Sequence, residues 1–83
     1  DRLDLTLQEL AAFYRDVLVL QTGAELELFH TEMKGSIQRF ADSSNINSTI
    51  KRLDSVESTR RMLNSEAAPL LVLESLTVQL ARA

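Results

Sequence analysis

LDLTLQELAAFYRDVLVLQTG, residues 3–23, decides the fold. Leu3, Leu7, Leu10, Tyr14, Val17 and Gln21 recur at alternating spacings of four and three, which puts them on one face of an α-helix. Gly23 supplies a left-handed cap, so the period predicts a helix over 2–22. Thr6 and Glu9 also form a capping box, with Leu5 and Leu10 as its hydrophobic staple, and offer a later start; Leu3, in phase with the stripe, favours the earlier one. A second apolar line runs through Leu5, Ala12, Phe13, Val19 and Leu20 on roughly the opposite side, bordered by Arg15 and Asp16. A helix greasy on two faces must be covered on both, either by its own chain or by a neighbouring subunit. These seven residues are the candidate subunit interface, and Phe13 and Leu20 separate the two cases, because strong exposure in the isolated chain marks a docking face.

Outward from this helix, the alternating Leu26 and Leu28 with Glu25 and Glu27 read as a loop laid across the core, a short strand being the lesser alternative. Thr31 can cap a second helix over 32–42, with Met33, Ile37, Phe40 and Ala41 on its inner face. Asp42-Ser43-Ser44-Asn45 is turn chemistry, and Ser44 or Asn45 can cap a third helix over 46–64, faced by Ile46, Thr49, Ile50, Leu53, Val56 and Leu63. Ser65 to Ala68 reads as a tight connection. Pro69 then suits the first turn of a fourth helix, 69–82, lined by Leu70, Leu73, Leu76, Thr77 and Leu80. Short connections imply mostly antiparallel neighbours, so the expected architecture is all-α, a compact bundle of about four antiparallel helices.

The whole chain has 83 residues, 45% apolar and 25% charged, enough for one small helical domain over 1–83. The opening Asp1-Arg2-Leu3-Asp4 has no initiator Met, and the chain reads as a fragment of a longer one. A net charge of −3 disfavours autonomous nucleic-acid binding, and the absence of Cys fits a reducing, cytoplasmic compartment. The apolar runs Val17–Leu20 and Pro69–Leu73 fall far short of the ~20 residues that cross a bilayer.

Catalytic chemistry has little to stand on. Two Gly cannot build a phosphate-cradling loop, and no Walker motif occurs, so no nucleotide cofactor is expected. His30 is the sole imidazole, with no strained turn presenting a Ser to it, and Glu27-x-x-His30 is half of a di-iron motif that needs to occur twice. A loop histidine is the expected reading, with no catalytic residue and no metal site. Lys51, Arg52, Arg60 and Arg61 point all around the third helix and form no phosphate-tracking row. Arg60 alone falls inside the apolar face, where its stem is expected to pack and its head to find a carboxylate or reach an edge; Asp16 is the candidate partner, and the role of Arg60 is structural.

Phe13-Tyr14-Arg15-Asp16-Val17-Leu18, then Gly23, then Arg60-x-x-Leu63 leading into Pro69-Leu70-x-x-Leu73-Glu74-x-Leu76, together resemble the C-terminal domain family of the delta-prime subunit of bacterial DNA polymerase III. The resemblance runs from about Leu3 to Leu80. It departs at Glu66 and Ala68, where the family commonly has Asn, and at His30, where Asn often stands. The equivalent domain of the tau/gamma subunit is the other relative the pattern admits. The resemblance implies a non-enzymatic collar domain that holds the sliding-clamp loader together in DNA replication. Its partners would be the tau/gamma and delta subunits, with the clamp and primer-template DNA reached only through the full complex. Composition and periodicity alone allow equally a helical oligomerisation or adaptor domain unrelated to replication.

Overall fold

A computed structural model describes residues 2–65 and 68–83. It contains α1 (Arg2–Thr22), a 3₁₀ turn (Thr31–Met33) running into α2 (Lys34–Ser43), α3 (Ile46–Leu63) and α4 (Pro69–Arg82), with no strand among the described residues. The all-α class and the four helices agree with the sequence reading, and α1 starts at the earlier of the two candidate positions. Within the expected 65–68 connection, Glu66 and Ala67 lie outside the described residues.

The helix ends follow from local chemistry. Gly23 takes φ +70, and the Ala24 amide donates back to the Val19 carbonyl at 3.2 Å, the six-to-one bond of a Schellman stop. Of the two candidate caps for α3, Asn45 serves, its Oδ1 accepting from the Ser48 amide at 2.9 Å. Ser44 instead donates to the Phe40 carbonyl at the end of α2. Thr31 does not cap α2. It opens the 3₁₀ turn, whose first hydrogen bond runs from the Met33 amide to the His30 carbonyl, and the α-helix begins only at Lys34. Pro69 occupies the first turn of α4 as expected, after an extended Ala68 that offers no side-chain cap.

Packing arranges the helices in a row. α1 packs against both α2 and α3, while α4 packs against α3 alone, and the molecule measures 38 × 26 × 17 Å. α1 and α3 are antiparallel, held at one end by Thr49 Oγ1 donating to Gln21 Oε1 at 2.6 Å and at the other by Arg60 Nε on Asp4 Oδ1 at 3.2 Å. Ser48 at the start of α3 donates to the carbonyl of Ala83 beyond the end of α4, so that pair is antiparallel too. The α1–α2 pair departs from the expected antiparallel order. Residues 24–30 return along α1, and α2 then advances in the direction of α1: Met33 shares a cleft with Leu10 and Phe13, Ile37 clusters with Val17, and Gln21 Nε2 donates to the Ala41 carbonyl.

The core has two parts. Leu7, Ala11, Tyr14, Val56 and Leu76 form one, and Val17, Ile37 and Ala41 form the other. Phe13 and Phe40 belong to both, meeting edge to face at 5.4 Å between ring centroids. Two expected inner faces are rotated. In α3, Ile46 and Ile50 are exposed, while Thr49 is buried as expected and Thr59, outside the expected face, is buried too; the Thr49 hydroxyl donates to Gln21 Oε1 and the Thr59 hydroxyl to the Ser55 carbonyl, so each enters the core with its polar group satisfied. In α4, Leu70 and Thr77 point outward, and Val72 joins Leu76 inside.

Candidate interaction surface

The second apolar line of α1 is divided between the chain's own loop and solvent. Asp16 has 0% exposure, and its carboxylate accepts from the amides of Phe29 at 2.8 Å and His30 at 2.9 Å, with Arg15 Nη1 at 3.2 Å. Arg15 also donates to the Glu27 carbonyl at 2.7 Å and lays its guanidinium over the Phe29 ring at 4.2 Å. The Arg-Asp pair is therefore a clasp that fastens residues 27–30 along α1. Val19 is buried with Asp16, and Leu20 packs into the second core cluster. Phe13 is half-buried among Tyr14 and Phe40. Phe13 and Leu20 thus do not carry the exposure that would mark a docking face. What stays open is the N-terminal half of that line, with Leu5 60% exposed and Ala12 half-buried.

Arg60 finds carboxylates, but not the expected one. Its Nε meets Asp4 and its Nη1 meets Glu57 at 3.4 Å, because the antiparallel register brings the end of α3 to the start of α1; Asp16 lies near the opposite end and is consumed by the loop. The hydrogen bond from Arg60, aided by one from Gln8, holds the Asp4 carboxyl below its ordinary 3.8, against a smaller opposing effect of burial. Arg52 lies over the Phe40 ring at 5.5 Å, Arg61 donates to Ser58, and Lys51 is exposed, so the basic residues of α3 are spent in separate directions. Burial pushes the Tyr14 phenol up, with Arg52 acting in the opposite sense.

His30 sits between two carboxylates, with Nε2 3.5 Å from Glu9 and Nδ1 3.9 Å from Glu32. The two carboxylates approach opposite ring nitrogens and do not converge on one point. Among the described residues no group of three or more His, Asp or Glu is placed to hold a metal ion. A concavity of about 710 Å³ lies at the α2–α3 corner and is lined by Leu20, Ala41 and Ile46 together with side-chain amides, the Ser44 hydroxyl and the Asp42 carboxylate. The Gln21 amide on its wall is already committed to Ala41, Ser44 and Thr49.

The sequence reading missed the outer face of α4. Leu70 is 69% exposed, Leu71 66% and Val78 48%, and at about 100° per residue the three lie within one arc opposite Val72 and Leu76. Its signal was present as a surplus: Pro69–Arg82 holds more large apolar residues than one helix face can bury. Among the described residues no helix is long and apolar enough to cross a membrane. No family model matches the chain, and no curated protein or solved structure is significantly similar to it.

Proposed function

We propose that this chain is a protein–protein association module, the collar domain of a delta-prime-like subunit of bacterial DNA polymerase III, which helps hold the sliding-clamp loader together. The observation that carries the association reading is the outer stripe of α4. Leu70, Leu71 and Val78 face solvent on a helix that packs against α3 alone, and apolar area of this kind is stabilised by a neighbouring subunit. The replication assignment rests on the sequence resemblance across Phe13–Leu18, Arg60–Leu63 and Pro69–Leu76. On this reading the domain binds no nucleotide and breaks no bond; its work is to bury helix faces against the tau/gamma and delta subunits in the cytoplasm.

Sedimentation of the chain, carried within its full-length protein, with tau/gamma and delta tests the assignment. A stable complex is the expected result. Failure to co-sediment overturns the clamp-loader reading and leaves an adaptor domain outside replication.

A further inference from the structure

We infer that the open half of the outer α1 face docks a cationic amphipathic helix of a partner protein. Two apolar clefts flank the ridge formed by Leu5 and Glu9. One, of about 360 Å³, is built from Leu10, Phe13 and Met33; the other, of about 430 Å³, from Ala11, Ala12, Phe29 and Leu53. Each has room for a bulky apolar side chain. Phe29 remains 65% exposed at the lip of the second cleft, and it is held there by the Asp16 clasp and the Arg15 stack, so a partner meets a surface ordered in advance.

Charge fixes the kind of occupant. Glu9 stands 72% exposed on the first cleft, Glu32, equally exposed, lies across the His30 ring that lines it, and Glu57, paired with Arg60, stands 41% exposed at the second. The arginines nearby are already engaged within the chain: Arg15 on the Asp16 carboxylate and the Glu27 carbonyl, and Arg60 on Asp4 and Glu57. The rim therefore presents an excess of carboxylates around apolar holes, which attracts a segment bearing apolar residues and Lys or Arg and repels phosphate backbones and anionic bilayers. The described residues offer no strand edge with which an extended peptide could pair, which favours an occupant that satisfies its own backbone, as a helix does. This surface lies on α1, away from the α4 stripe, and does not depend on the clamp-loader assignment.

The test titrates the chain with a synthetic peptide of Leu and Lys at helical spacing, and with a matched peptide of Leu and Glu, while following amide chemical shifts. The expected result is binding of the Leu/Lys peptide alone, weakened by salt, with shifts centred on Glu9, Phe29 and Met33. The Glu9→Lys/Glu32→Lys pair and, separately, Phe29→Ala weaken binding several-fold, while Glu74→Lys on α4 leaves it unchanged; circular dichroism confirms that each variant keeps its helices. The inference is overturned by equal binding of the two peptides, by no binding of either, or by shifts centred on α4. Loss of association with loader subunits, read separately by sedimentation, leaves peptide binding intact if only the replication assignment fails.

Discussion

Three hydrogen-bond donors converge on the Asp16 carboxylate, which has no exposed surface, and two of them are backbone amides 13 and 14 residues along the chain. Removing such an acceptor leaves part-buried donors without their partner, so Asp16→Ala is expected to lower unfolding free energy by about 2 kcal/mol in urea denaturation. Hydrogen exchange at Phe29 and His30 should accelerate at the same time, and unchanged exchange there would mean that the loop is held by something else. The Asp4–Arg60 pair behaves differently because it is partly exposed and titrates. A carboxyl whose folded pKa is depressed contributes stability that is fully present above its ordinary 3.8 and is lost as pH falls through the lowered folded value. Stability of the wild-type chain should therefore fall over that acid range by more than that of Asp4→Asn, and Asp4→Asn with Arg60→Ala should be non-additive in a double-mutant cycle. The sequence placed Arg60 in the apolar face, where its head had to find a carboxylate or reach an edge; Asp16 was the wrong candidate, since the choice depends on the register of α1 against α3.

The ends of α1, α3 and α4 agree with the sequence reading to within about a residue, whereas the start of α2 does not. What periodicity could not reveal was the direction of α2. The chain between Gly23 and Thr31 turns back along α1 because a side chain on α1 captures its amides, and no repeat of apolar residues records such a long-range bond. The buried Thr59 was hidden for a related reason. It counts as polar in a pattern, yet its hydroxyl is satisfied by the Ser55 carbonyl on its own helix and leaves the methyl group to pack. Caps provide the check at this scale. Asn45→Ala removes the acceptor for the Ser48 amide and should cost about 1 kcal/mol in thermal or urea unfolding, whereas α4 begins at an extended Ala68 with no side-chain cap, so Ala68→Asp should add roughly 0.5–1 kcal/mol. A loss of stability in Ala68→Asp would show that the start of α4 is constrained by something other than its free amides.

At the scale of the whole molecule, the order α2, α1, α3, α4 makes the first helix central and leaves the last with a single neighbour. α4 is attached through Val72 and Leu76, with Leu80 beside them, while its other side carries Leu70, Leu71 and Val78 into solvent. An element with one packed face opens at lower free energy than one packed on two, so α4 amides should exchange before those of α1 and α3. A partner that covers the outer stripe adds the missing second face, and its binding should slow exchange across α4 more than anywhere else. Leu70→Glu/Leu71→Glu separates docking from folding, because both side chains are already mostly exposed and their replacement removes little buried area from the isolated chain. If the proposed association reading holds, the expected outcome is an unfolding midpoint close to that of the wild type, together with loss of co-sedimentation with the proposed loader partners and loss of the partner-induced protection of α4. Retained co-sedimentation would show that the subunits meet on another face; a collapsed midpoint would show that Leu70 and Leu71 hold the fold together rather than wait for a neighbour.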